Sequence, residues 1–122
     1  MANAINWFEI PATDINRASE FYGKVLEAEI QQQEMMGTKM AFLPFDGEGV
    51  SGSICQGEMY KPSTDGAMIY LNGGDDLSKP LSKVEASGGK VIMPKTKISD
   101  EIGYMAIFLD TEGNRMAFHS HK

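Results

Sequence analysis

Several things are scarce in this sequence, and each shortage narrows what the chain can do. Cys55 is the only cysteine, so no disulfide can form within the chain. Basic residues are the minority, 11 Lys plus Arg against 17 Asp plus Glu, for a net charge of −6 and a pI near 4.8. Phosphates repel such a chain, which argues against nucleic acid and against an anionic membrane as partners. No apolar run approaches the roughly 20 residues that cross a bilayer. Residues 1–11 carry neither the basic start nor the long apolar stretch of a signal peptide. There is no Gly-rich phosphate loop, no paired-cysteine zinc pattern and no nucleophile elbow. The expectation is a soluble, cytoplasmic protein.

What is present favours a packed fold. Hydrophobic residues make up 42% and charged residues 23% of 122, enough for one domain and too little for two. The chain nearly repeats itself. Asp46-Gly47-Glu48-Gly49 and Asp110-Thr111-Glu112-Gly113 are acidic-Gly turns 64 residues apart, each preceded by an apolar run and followed by a short extended stretch. They lack the ligand series of an EF-hand and read as hairpin turns. Earlier in each half an apolar strand (Trp7–Pro11, then Met68–Asn72) leads to an Asp-initiated helix.

Asp14 reads as an N-cap, followed by Ile15, Ala18, Phe21, Tyr22, Val25 and Leu26 at helical spacing, ending near Glu27. Asp75 or Asp76 caps the counterpart, with Leu77, Leu81 and Val84 before Ser87-Gly88-Gly89 stops it. Strands follow at 29–35, 38–45 and 50–56, and again at 90–97, 103–109 and 114–120. Both halves therefore read β-α-β-β-β. Residues 1–56 form module one, 57–66 a polar linker and 67–122 module two of a single α+β domain, since about 60 residues alone is marginal. Most of the nine methionines read as core packing at strand positions.

These residues resemble the vicinal oxygen chelate superfamily, which groups glyoxalase I, extradiol dioxygenases and bleomycin- and fosfomycin-resistance proteins. The carrying motifs are Trp7-Phe8-Glu9-Ile10-Pro11-Ala12-Thr13-Asp14, Arg17-Ala18 and Phe21-Tyr22-Gly23-Lys24-Val25-Leu26 in the first half. In the second they are Tyr70-Leu71-Asn72 with Asp75-Asp76, Gly88-Gly89-Lys90-Val91 and Asp110-Thr111-Glu112-Gly113-Asn114. The resemblance implies two βαβββ modules whose mixed sheets curl around a cavity, usually in a homodimer. Metal-dependent members place ligands at four strand positions, which fall here on Trp7, Ser53, Met68 and Ala117. Trp, Met and Ala are not ligands for divalent ions and a serine hydroxyl is a weak one, so neither metal nor other cofactor is carried over.

Residues two apart on a strand share a face. The repeat thus predicts a cavity lined by Trp7, Glu9, Ser53, Cys55, Met68, Tyr70 and His119. Glu9 reads either as a general base or as an edge carboxylate facing solvent. Trp7 reads as core or as a stacking platform, and Tyr70 as a packed ring or an acid. Cys55 reads as a small buried hydrophobe or a nucleophile, and His119 as a hydrogen-bonded or a catalytic imidazole. His121 reads as solvated. The favoured reading is a binding module for a small, partly aromatic molecule. The alternative is a lyase or isomerase related to glyoxalase I, using Glu9 and His119 for acid/base work with Tyr70 assisting, and with any metal held at displaced positions.

Overall fold

The computed structural model describes residues 3–122. Asp14 has extended backbone (φ −142°), and its carboxylate accepts hydrogen bonds from the amides of Asn16 and Arg17, both at 3.1 Å. That satisfies two of the amides a helix start leaves unpaired, and helix α1 (Ile15–Val25) follows. Its apolar stripe, Ile15, Ala18, Phe21, Tyr22 and Val25, is almost wholly buried. Each large member contributes roughly 1.5–3 kcal/mol relative to exposure.

Around α1 the first half forms β1 (Phe8–Pro11), β2 (Gln31–Met35), β3 (Thr38–Phe42) and β4 (Gly52–Gln56). Their sheet order is β1-β4-β3-β2, with β1 and β4 parallel and the other pairs antiparallel. The second half supplies β5 (Tyr70–Asn72), β6 (Lys90–Ser99), β7 (Gly103–Leu109) and β8 (Arg115–Ser120), ordered β5-β8-β7-β6 in the same pattern. The two mixed sheets are thus built on one plan, and they do not close on each other. The expected strands hold to within about two residues, except where β3 stops at Phe42. There Pro44 has no N–H to continue the ladder, and only Leu43 adds a further bond, to the Gly52 carbonyl at 3.1 Å.

The second helix departs from expectation. Instead of one Asp-capped helix, the segment forms a single turn, α2 (Ser78–Leu81), and a 3-10 turn at Glu85–Ser87. Asp76 does accept from the Ser78 amide at 2.8 Å, but that bond closes a local turn. Ser82 bonds back to the Lys79 carbonyl at 2.7 Å, a competing local contact. The apolar anchors are few: Leu77, Pro80 and Val84 are the buried residues between 76 and 88.

The core lies between α1 and the inner faces of both sheets. Ile10, Ala41 and Ile54 meet the helix from the first sheet, while Leu71, Ala106, Phe108 and Phe118 meet it from the second. Phe21 on α1 lies 6.1 Å from Phe108, which stacks on Phe118 at 4.7 Å. The methionine expectation fails. Among the described residues only Met116 is fully buried, whereas Met36 and Met59 are fully exposed in turns.

Candidate functional site

With Ile10, Ala41 and Ile54 turned to the helix, the alternate residues of the first sheet share its other face. Register places Glu9 opposite Ser53 and Pro11 opposite Cys55, with Phe42 and Met40 next across the sheet. Ser53 and Cys55 are fully buried, and Trp7 remains 40% exposed. The side chains form one hydrogen-bonded string. Trp7 Nε1 donates to Ser53 Oγ at 3.4 Å, and Ser53 Oγ meets Cys55 Sγ at 3.4 Å. The Cys55 thiol in turn donates to Glu9 Oε2, also at 3.4 Å. Tyr60, from the segment between β4 and β5, completes it by donating to Glu9 Oε1 at 2.9 Å.

Both donors to Glu9 are held in their neutral forms. The hydrogen bond to Glu9, aided by desolvation, pushes the Tyr60 phenol up to about 12. Burial, reinforced by the Glu9 charge and only partly opposed by Ser53, pushes the Cys55 thiol up. Trp7 also has the rings of Phe42 and Phe45 in T-shaped arrangement with it, centroids 6.4 and 6.3 Å away. Among the described residues Glu9 enters no ion pair. Lys39 lies in register with Gln56, whose amide oxygen accepts from Ile15 of α1, so that lysine belongs to the helix side.

The second sheet repeats the arrangement with different chemistry. Tyr70 is paired with Ala117 as Glu9 is with Ser53, and Asn72 is paired with His119. The corresponding register makes Met68 the counterpart of Trp7 and Ala117 that of Ser53. Tyr70 is half exposed and Met68 half buried. His119 donates through Nε2 to the Ile102 carbonyl at 2.6 Å, and its ring lies 5.1 Å from that of His121. Tyr70, Asn72, Ile102, His119 and His121 line an open cleft of about 540 Å³. A larger cleft of about 930 Å³ between the halves is lined by Phe8, Leu26, Leu43, Phe45, Ile69 and Tyr70.

The structure therefore brings Trp7, Glu9, Ser53 and Cys55 together and places Tyr70 and His119 on the other sheet, with Met68 just ahead of β5. Sequence reasoning missed Tyr60, Phe42 and Phe45. Phe42 was recoverable, because a hairpin about the first acidic-Gly turn sets it beside Ser53. Tyr60 sits in a linker without periodicity, and nothing in the sequence points it at Glu9. The four ligand positions implied by the resemblance offer one hydroxyl between them. Among the described residues, no group of three or more His, Cys, Asp or Glu is placed to hold a metal ion.

The second acidic-Gly turn is structural. Glu112 Oε1 accepts from the amides of Thr13 and Asp14, both at 2.9 Å, and its carboxylate pairs with Arg17 at 2.7 Å. Burial raises this carboxyl, but Arg17 and the two amides outweigh it and bring it down to about 2. The Asn114 amide donates to the Pro11 carbonyl at 2.7 Å, fixing the end of β1.

Residues 4–118 match the model of the Glyoxalase/Bleomycin resistance protein/Dioxygenase superfamily, and the chain belongs to that superfamily. A "Glyoxylase-like domain-containing protein" of Didymella fabae is 28% identical over 116 residues, 93% of this chain and 90% of that one. Among solved structures, the chain is similar to TnmS3, an antibiotic-binding protein from Streptomyces sp. CB03234. Their TM-score is 0.68 at 21% identity, over 98% of both chains. It is also similar to a glyoxalase I mutant from Zea mays, with TM-score 0.69 and 14% identity over 95% of this chain and 45% of that one. At these identities the structural likenesses establish the fold. Among the described residues no helix is long and apolar enough to cross a membrane.

Proposed function

We propose that the chain is a cytoplasmic, metal-free binding member of the superfamily, working as one domain, that holds a small, partly aromatic molecule. The observation that carries this reading is the string from Trp7 to Tyr60, which sets a partly exposed indole beside a hydrogen-bonded carboxylate on one sheet face. An aromatic surface with a few placed polar groups is what small-molecule sites use. A single hydroxyl among Trp7, Ser53, Met68 and Ala117 does not fit a divalent ion.

The two faces belong to one site in this reading. A second copy of the chain covers the Trp7–Glu9 face with its own Tyr70–His119 face, so that Met68, Tyr70 and His119 join Trp7, Glu9, Ser53 and Cys55. The half-exposed Trp7, Met35 and Tyr70 support such a contact. Light scattering after size exclusion is expected to give twice the 13.4 kDa chain mass. The acid/base reading with Glu9 and His119 ranks second, because His119 Nε2 is already engaged by the Ile102 carbonyl.

Elemental analysis of the natively purified protein tests the first part. Metal far below one ion per chain is expected, and a stoichiometric divalent ion would overturn the reading. A fragment screen read by calorimetry tests the second, with binding expected to weaken in both Trp7→Ala and Tyr70→Ala.

A further inference from the structure

Resting on that binding reading, the geometry of the first sheet face points to a particular ligand class. We propose that this face binds a monocation carrying an aromatic ring, an aryl amine or quaternary ammonium, with Glu9 pairing the charge and Trp7 and its neighbouring phenylalanines taking the ring.

The direction in which each polar hydrogen points narrows what the face can bind. Trp7 Nε1–H is turned inward to Ser53, the Cys55 thiol hydrogen is given to Glu9 Oε2, and the Tyr60 hydroxyl hydrogen is given to Glu9 Oε1. Every donor in the string is occupied within the protein. A carboxylate has about four lone-pair sites, and Glu9, which is exposed, keeps those that Tyr60 and Cys55 do not fill. What the string itself leaves for a ligand is acceptor capacity on Glu9 and the indole of Trp7, with the rings of Phe42 and Phe45 near it. Gln31 and Gln33, further along this face, add neutral amides and no charge.

An anionic ligand would meet the Glu9 carboxylate, which enters no ion pair among the described residues, and the nearest strand lysine, Lys39, lies on the helix side. A neutral aromatic would satisfy the rings and leave the carboxylate without a countercharge. A cation satisfies both, because ring faces carry the negative part of the aromatic quadrupole and attract ammonium groups. The net charge of −6 adds long-range attraction for such a molecule.

The test compares benzyltrimethylammonium and benzylammonium with benzyl alcohol on the full chain. Trp7 is the only tryptophan, so its emission reads this face directly, and calorimetry provides a second readout. Wild type is expected to bind the two cations at least about tenfold more tightly than the alcohol. Glu9→Gln is expected to abolish the preference, so that within this variant the two cations and the alcohol bind within about twofold of one another. In wild type, about 1 M salt is expected to shrink the preference, which checks the charge term without a variant. Equal binding of cation and alcohol overturns the proposal while leaving aromatic binding standing. A preference that survives Glu9→Gln overturns the role of Glu9. No response from any of the three overturns this proposal and counts against the Trp7 face as the binding site.

Discussion

The phenol of Tyr22 donates a 2.7 Å hydrogen bond to Oδ2 of Asp110, 88 residues further along and on the other half of the chain. Tyr22 is fully buried and Asp110 nearly so. Burial, with the Asp110 charge and hydrogen bond adding to it, pushes the phenol well above its usual range, so it serves only as a donor. Tyr22→Phe is expected to cost about 1–3 kcal/mol, because it leaves a buried carboxylate oxygen with only Asn114 as side-chain partner. Asp110→Ala is expected to cost more, since it also removes the acceptor for the Glu112 and Asn114 amides. Urea unfolding of the variants measures both, and a change below about 0.5 kcal/mol for Tyr22→Phe would contradict the assignment.

Glu112 gives the fold an acid limit. Its carboxyl is brought down to about 2 in the folded chain, against 4.5 for an unperturbed glutamate. A depressed folded value means stabilisation that is complete above the unfolded value and is lost as pH falls through the folded one. The urea midpoint of wild type is therefore expected to fall between about pH 5 and pH 2, and more steeply than that of Glu112→Gln. Some slope should remain in the variant, because Asp76, held by Lys95 and the Ser78 amide, also comes down to about 2. Equal slopes in the two proteins would remove Glu112 from this role.

Cys55 is expected to be slow toward thiol reagents. It is fully buried, and its thiol is raised by burial, so little thiolate is present and less is reachable. Reaction with a disulfide reagent near neutral pH should run on the order of 100-fold slower than in the urea-unfolded chain. A rate like that of a free thiol would mean that the Trp7–Glu9 cover is open in solution.

Gly52 fixes the pairing beneath the site. A Cβ there would lie 2.4 Å from the Phe8 carbonyl oxygen and 2.6 Å from its ring, in the strand pair that sets Glu9 against Ser53. Gly52→Ala is expected to destabilise by roughly 1–3 kcal/mol, since backbone must move to admit it. It should also loosen the contact of Trp7 with Ser53, read as a red shift of Trp7 emission. Stability and emission like those of wild type would refute the clash.

Apolar runs bounded by turns and the Asp14 cap made the first half readable, because runs, turns and a capping carboxylate are local signals. The second helix was misread for a physical reason. Its buried anchors Leu77, Pro80 and Val84 keep a helical spacing that suggests a longer element, while Ser82 and Pro80 favour local turns between them. Alternation also placed Trp7, Glu9, Ser53 and Cys55 on one face. It carries no information about whether that face meets Tyr70 and His119, because those residues belong to a separate ladder. Tyr60 was invisible for the same reason: its bond to Glu9 depends on the path of an irregular segment.

Each sheet completes its hydrogen-bond ladder within its own half, and among the described residues no main-chain bond joins 3–56 to 67–122. The seam is sewn by side chains: Glu112 and Asn114 on the amides and carbonyl that end β1, Tyr22 on Asp110, and Phe21 against Phe108. A chain joined in this way can be split. Separately expressed fragments, divided near the exposed Thr64–Asp65 bond, should recombine through that seam, turning the protein into a two-piece reporter whose reassembly restores the face bearing its one tryptophan.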